Sequence, residues 1–275
     1  TRQKQKDEPA HKWLKILDRK IVKRPVMTIP YGVTMWTIPS QITEELEKRR
    51  AKGESLPFEP GKEKLAANYI GKIIHESVGE VAPAANILRK WLEEVGKIVT
   101  GEYVSMIWIS PIGFPVVQRY EIEQAQRVSI MINGKIAKVS FAKEQRYEDP
   151  CCISGTKPVV PNIKKAIGGT TPNLVHSLDA SHMMQTVLKC KSAGIQAFAM
   201  VHDSYGTHAV DAPTMARLLR EAFVEQYLQD VLTNFHKNMV DYMSRNLNNK
   251  IPAEPSKCNP PLDIKQVLDS PYFFA

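Results

Sequence analysis

Long apolar runs are missing from this 275-residue chain. Stretches such as 195–201 (IQAFAMV) fall far short of the roughly 20 residues a membrane-crossing helix needs, so no spanning helix is expected. Cysteine is scarce: of Cys151, Cys152, Cys190 and Cys258 only the first two are close, and no C-x-x-C or Cys/His zinc spacing occurs, which points to a reducing compartment. No internal repeat is visible and no Gly/Ser linker divides the chain. The start, TRQKQKDEPAHKW, has neither Met nor the apolar centre of a secretory signal, and reads as a processed chain, a fragment or the edge of a gap. Acidic residues are too few to balance the basic ones: 37 Lys and Arg against 29 Asp and Glu leave +8, with a pI of about 9.2. That balance favours a polyanionic partner such as nucleic acid, nucleotide or an acidic membrane surface. At 43% hydrophobic and 24% charged, the composition excludes general disorder and a membrane-embedded body, and the length suits one large domain or two small ones.

Periodicity supplies the elements. Trp13, Leu14, Leu17, Ile21 and Val22 recur at three- and four-residue spacings and predict an amphipathic helix over 9–24. ITEELEKRR at 42–50 predicts an exposed helix, GESLPFEPG at 53–61 a loop, and 63–76 and 83–99 two further helices, the second with proline in its first turn. Residues 103–109 alternate as a strand and SPIGFP turns, while 127–132 and 135–141 flank Asn133-Gly134, a strong hairpin signal. Scattered Lys, Pro and Gly make 142–171 a loop. A helix over 173–191, a buried strand over 195–201, a turn over 202–206 and a returning strand over 207–210 follow. Asp211 then caps a helix beginning Ala-Pro, and another helix covers 230–246. The connector 252–261 leads to the tail LDIKQVLDSPYFFA. The class is α+β, mostly helical, with a small antiparallel sheet.

Two stretches concentrate chemistry. On a helix, Arg19 and Lys23 share a face, Arg24 lies beside them, and Met27 and Tyr31 continue the stripe. Such a face suits a nucleoside triphosphate, with cations on the phosphates and the tyrosine against sugar or base; a solvated basic helix with a half-buried tyrosine has the same spacing. Pro25 and Pro30 imply a kink or a late start. The second stretch, AFAMVHDSYGTHA, holds His202 and Asp203 between strands. An aspartate raised there suits Mg²⁺, a hard ion that takes carboxylate oxygens, and it also suits a turn that uses Asp for local hydrogen bonds. His176 and His182 lie six residues apart on a helix, which is not a one-face spacing and argues against a shared zinc; Asp179 between them is ambiguous.

The order of these motifs resembles the single-subunit RNA polymerases of phages and mitochondria. Arg19-x3-Lys23-x7-Tyr31-Gly32 is similar to their fingers helix, and His202-Asp203-Ser-Tyr-Gly to their palm HD motif. VMTIPYGVT, AANYIGKIIHESV, PIGFPVVQRY, TPNLVHSLDASHMMQT and the terminal YFFA follow the family's order, so the likeness runs from about Trp13 to Ala275. The resemblance implies right-hand fingers and part of a palm, with a protruding β-hairpin: 1–100 as fingers, 101–171 as strands with a hairpin like the promoter specificity loop, and 172–275 as palm with a C-terminal foot. It implies Asp203 as a Mg²⁺ ligand and Lys23, with Arg19 and Arg24, on the triphosphate. Tyr31 would read the ribose 2′-hydroxyl, His176 the minor groove of the nascent pair, and His202 the primer end. Arg127, Ser129 and Lys135 would contact DNA.

One departure stands out. The family's two-metal chemistry needs two aspartates, and Asp7 and Asp18 lack the strand context of the first. Two Mg²⁺ ions would therefore need a carboxylate from outside this chain, either from a missing upstream segment or from a second polypeptide, as in a split phage enzyme. The implied partners are a DNA template, the RNA product and NTPs, with no membrane. The implied location is the cytoplasm of a phage-infected bacterium, or alternatively the mitochondrial matrix. A repair-type DNA polymerase fragment, which shares the fingers spacing, and a non-catalytic nucleic-acid-binding subunit are the competing readings.

Overall fold

The computed structural model describes residues 8–33, 35–102, 104–120, 125–132, 135–142, 162–246, 251–256, 262–271 and 273. It divides into two compact units, 1–90 and 91–275. The first is helical: α1 (Glu8–Leu14), α2 (Arg19–Thr28), α3 (Thr37–Ala51), α4 (Glu63–Val81) and the beginning of α5 (Pro83–Gly101). The helix expected over 9–24 is broken, because Asp18 stops α1 from continuing and starts α2 instead. Its Oδ1 accepts from the backbone N–H groups of Lys20 (3.0 Å) and Ile21 (3.1 Å), a cap worth about 1 kcal/mol.

The core of this unit follows from helical spacing. Ile38, Ile42 and Leu46 of α3 lie four residues apart and face Ala67, Ile70 and Ile74 of α4, with Ile21 of α2 and Ile29 just beyond its end closing the layer. Gly71 lets α3 and α4 approach closely: a Cβ there would lie 3.1 Å from Ile38 Cγ2. Trp13 ties α1 down. It is 2% exposed, donates its indole N–H to the Ala66 carbonyl (3.1 Å) and lies 4.9 Å from the Phe58 ring.

Among the described residues the second unit combines the rest of α5 with three antiparallel hairpins and three further α-helices: β1 (Met106–Ile109) with β2 (Pro115–Gln118), β3 (Ala125–Ile132) with β4 (Lys135–Ala142), α6 (Ile163–Ser192), β5 (Ala199–Val201) with β6 (Ser204–Gly206), α7 (Ala212–Leu228) and α8 (Val231–Asn246). The mostly helical α+β class is borne out. Tryptophans organise the interior. Trp108 donates to Ser177 Oγ (3.0 Å) and sits edge-on to Phe235, which also meets Trp91; Trp91 in turn donates to the Pro252 carbonyl (3.1 Å).

Helix α6 starts ten residues earlier than expected, which converts 163–171 from loop to helix. Gly168, Gly169 and Pro172 read locally as breakers, but packing overrides them. The Asn162 side chain caps the new start by accepting from Lys165 N–H. A Cβ on Gly169 would fall 2.7 Å from the Tyr120 ring, so this glycine makes room for an aromatic neighbour rather than a turn. The buried face of α6 carries Thr170, Ser181 and Thr186, each hydroxyl bonded to the carbonyl four residues back, so small polar groups are satisfied within the helix.

Other departures are local. Strand β2 starts at Pro115, the last residue of the expected turn, and continues through 116–118, where no element was expected. The expected strand over 195–201 shortens to β5, which is exposed at both its ends rather than buried. The returning strand is β6 at 204–206 instead of 207–210, because the turn between β5 and β6 is only two residues long. Asp211 occupies the position before α7, but its side chain makes no capping bond; a proline in the first helical positions, with no N–H to satisfy, opens the helix.

Candidate functional site

The basic face of the first unit rests on how α2 is held. Asp18 accepts from Arg49 Nη2 (2.6 Å), and Arg49, 8% exposed, also reaches Glu45 and the Ile16 carbonyl. Burial works to raise the Asp18 pKa, but Arg49 and the Ile21 and Lys20 amides outweigh it and hold the carboxyl below its ordinary range. From this fixed start Arg19, Lys23 and Met27 project at four-residue steps and all are exposed. Among the described residues neither Arg19 nor Lys23 has an ion-pair partner. Arg24 does: its guanidinium pairs with Glu44 of α3, leaving it less available than the sequence suggested. Pro25 lies inside α2 and is buried. The helix ends at Thr28, so Tyr31 is not the next rung of the stripe. It sits in the following turn, half-buried, where its N–H bonds to the Thr28 carbonyl (3.1 Å) and Gly32 takes φ +89°.

In the second unit a small hairpin carries the HD motif. Val201 pairs with Ser204, which leaves His202 and Asp203 as the whole turn. His202 has φ +53°, a left-handed conformation that a non-glycine residue adopts at a cost of about 1–2 kcal/mol. The base is secured by Thr207 Oγ1, which donates to the Ala197 carbonyl (2.8 Å). Met200 and Tyr205, directly opposite each other, pack towards Cys190, Ile195, Met215 and Leu218 of the core. The inner side is thus apolar and anchored, while His202, Asp203 and Ser204 are exposed at the tip.

Tyr205 links this hairpin to both neighbouring helices. His182 of α6 is 5% exposed; its Nε2 lies 2.9 Å from the Leu219 carbonyl of α7 and its Nδ1 3.1 Å from the Tyr205 hydroxyl. A carbonyl only accepts, so Nε2 carries the proton and Nδ1 accepts from Tyr205. Burial, reinforced by the negative charges of Asp179 and Asp203, pushes the Tyr205 pKa up to about 12, which keeps its proton in place. Asp179, within electrostatic reach of His176, His182 and Asp203, is raised by burial and by Asp203 against the opposing pull of the two histidines.

This arrangement predicts a pH dependence. Burial holds His182 below its ordinary pKa of 6.5, despite the Leu219 carbonyl and Asp179, so the unfolded chain takes up the proton first. The associated stability is complete above the unfolded pKa and is lost as pH falls through it towards the folded value. Between about pH 7.5 and 5.5 the melting temperature should fall more steeply for the wild type than for His182→Gln, which keeps a donor for Leu219 but cannot titrate. Parallel slopes in thermal melts would dismiss His182 as the source.

His176 is exposed, pairs loosely with Asp179 (3.9 Å) and lines a cavity of about 470 Å³ with Trp108, Phe114, Arg119 and Tyr120. It is exposed where His182 is buried, and among the described residues no group of three His, Cys, Asp or Glu side chains is placed to hold a metal ion. The expected hairpin is present as β3 and β4 with Ile132 opposite Lys135, and Ser129 is exposed. The side chains of Arg127 and Lys135 and the Asn133-Gly134 turn lie outside the described residues, as does Ala275. Asp203 and Phe273 share the lining of a cavity of about 350 Å³ with Tyr205, Met215 and Leu219, placing part of the tail beside the HD turn. Sequence reasoning missed Tyr205, His182 and Arg220 as supports of this region. Their partners are distant in the chain, and only the polar residues on otherwise apolar faces hinted at them.

Comparison with known proteins gives a consistent result. The profile of the DNA-dependent RNA polymerase family matches residues 1–259. The chain is 36% identical over 266 residues to DNA-directed RNA polymerase 2, chloroplastic/mitochondrial, of Arabidopsis thaliana, covering 96% of this chain and 23% of that protein. It is 36% identical over 262 residues to DNA-directed RNA polymerase 1, mitochondrial, of Nicotiana sylvestris, again spanning 23% of the relative and 94% of this chain. With DNA-directed RNA polymerase 2A of Nicotiana tabacum it shares 35% identity over 264 residues, 94% of this chain and 69% of the relative.

Proposed function

This chain belongs to the DNA-dependent RNA polymerase family, and from that membership we propose that it forms the fingers and C-terminal palm portion of an enzyme adding ribonucleoside monophosphates to an RNA 3′ end on a DNA template. The observation that carries the reading is an ordered pair: the exposed Arg19–Lys23 face of α2, followed by the Tyr31-Gly32 turn, and the exposed carboxylate on the anchored β5–β6 turn. In this reading 1–100 act as fingers, 101–171 contribute strands and a specificity hairpin presenting Arg127, Ser129 and Lys135 to DNA, and 172–275 form palm and foot. DNA template, RNA product and NTPs are the partners.

Lys23 grips the triphosphate and holds at Nζ a proton for the departing pyrophosphate; Arg19 adds charge, and Arg24 contributes after exchanging Glu44 for phosphate. Tyr31 reads the 2′-hydroxyl, His176 the minor groove and His202 the primer end. Asp203, an exposed carboxylate beside a second acidic group, fits one ligand of a hard cation, with the complementary carboxylate coming from an upstream segment or a second polypeptide. Mg²⁺ bound there would activate the 3′-hydroxyl and stabilise the leaving group. The organellar names of the relatives favour a mitochondrial matrix over infected bacterial cytoplasm.

Tyr31→Phe in the complete polymerase tests the reading. Removing the hydroxyl should raise dNMP incorporation relative to rNMP by at least about tenfold, with rNMP addition largely kept. Primer extension with rNTPs against dNTPs measures it. A wild-type preference for dNTPs would favour the repair-polymerase alternative, and binding without Mg²⁺-dependent synthesis the non-catalytic one.

A further inference from the structure

Four carbonyl contacts converge on one side chain of α7. Arg220 Nη1 donates to the carbonyls of Val267 (3.2 Å), Leu268 (3.5 Å) and Ser270, and Nη2 to that of Phe273 (3.1 Å). The first two carbonyls belong to the end of a 3₁₀ turn, Ile264–Leu268, whose start is capped by Asp263 through the Lys265 N–H. The carbonyls at the end of such a turn have no partners within it, and a guanidinium fork meets several at once where an ammonium cannot. The same guanidinium lies 5.7 Å from the Phe273 ring centroid.

Phe273 is the continuation of this contact. Its ring packs edge-on to Phe223 (4.8 Å), Phe223 packs edge-on to His182 (5.5 Å), and His182 bonds to Tyr205, two residues from Asp203. Phe273 and Asp203 also line the same cavity. A physically continuous path therefore runs from Arg220 through the tail to the turn that carries the carboxylate.

We propose that Arg220 is a positioning residue that clamps the C-terminal tail as one wall of the cavity containing Asp203, and so sets the geometry of nucleotide addition without touching the substrate. The proposal rests on the reading of Asp203 as the metal-binding carboxylate.

The test uses the complete polymerase containing this chain. Arg220→Ala should expose the tail to carboxypeptidase, read by mass, and lower kcat for single-nucleotide addition by about ten- to a hundredfold while KM for NTP stays unchanged, since small misplacements near the reacting atoms act on the chemical step. Arg220→Lys should fall between wild type and Arg220→Ala. Deleting 273–275 should reproduce the kcat loss, and combining it with Arg220→Ala should add nothing, as expected of two changes in one device. If Arg220→Ala does not fold, Arg220→Lys and the deletion carry the same comparison. A tail equally protected in both Arg220 variants, a released tail with undiminished kcat, or fully additive losses would overturn the clamp. Asp203→Asn separates the parent reading: retained synthesis there refutes the metal assignment, while tail release by Arg220→Ala still reports whether the anchor exists.

Discussion

Asp203→Asn should reduce nucleotide addition by at least about 10³-fold, equivalent to roughly 4 kcal/mol of barrier, with template binding preserved. Asn has the same shape, suits a tight turn and occupies an exposed position, so the two-residue hairpin turn and its anchors at Tyr205 and Thr207 remain intact. What changes is one negative charge and one strong oxygen ligand. A hard cation binds the neutral amide far less well, and among the described residues no group of three His, Cys, Asp or Glu side chains stands ready to replace it. Single-turnover addition measures the first quantity and fluorescence anisotropy with labelled template the second. A variant extending primers at a near-normal rate would show that the carboxylate is only a turn residue.

Lys23→Ala should lower kcat/KM for NTP by about 10²-fold, near 3 kcal/mol, because a charge-assisted contact to phosphate and a proton held close to the leaving oxygen disappear together. Stability should change by less than about 0.5 kcal/mol, since Lys23 is exposed on α2 and alanine is the better helix former. Arg24→Ala should have a smaller effect, because Arg24 already spends its charge on Glu44. Measuring kcat and KM for all three alanine variants of Arg19, Lys23 and Arg24 gives the ranking. Equal losses at Lys23 and Arg24 would contradict a site centred on Lys23.

The residues of both stretches were legible in the chain because exposure, charge and spacing are local properties. Helices α4 and α5 and the β3–β4 hairpin were legible for the same reason, through helical period and an Asn-Gly turn, whereas α3, expected as an exposed helix over 42–50, runs Thr37–Ala51 and buries Ile38, Ile42 and Leu46. The early start of α6 was not: two glycines and a proline signal a break, and only the Tyr120 ring against Gly169 explains why a helix tolerates them. The division between α1 and α2 was not legible because Asp18 lies within a plausible apolar period; it caps α2 through the Lys20 and Ile21 amides and is held besides by Arg49, 31 residues away. Arg220 carries no local signal, since its carbonyl partners Val267, Ser270 and Phe273 lie 47, 50 and 53 residues away. Periodicity finds elements; it does not find partners supplied by remote segments.

The plugged beginning of α2 has a consequence for how a nucleotide would lie. Exposed amides at the amino end of a helix, with the positive end of its macrodipole, are a common cradle for anions. Here two of those amides and the adjoining guanidinium are already committed to the Asp18 carboxylate. That end is electrically quenched, so an incoming polyphosphate gains little by approaching it head-on. If α2 takes a triphosphate as proposed, the attraction would come from its exposed Arg19–Lys23 flank, and the chain of phosphates should run along the cylinder of α2 instead of capping its tip.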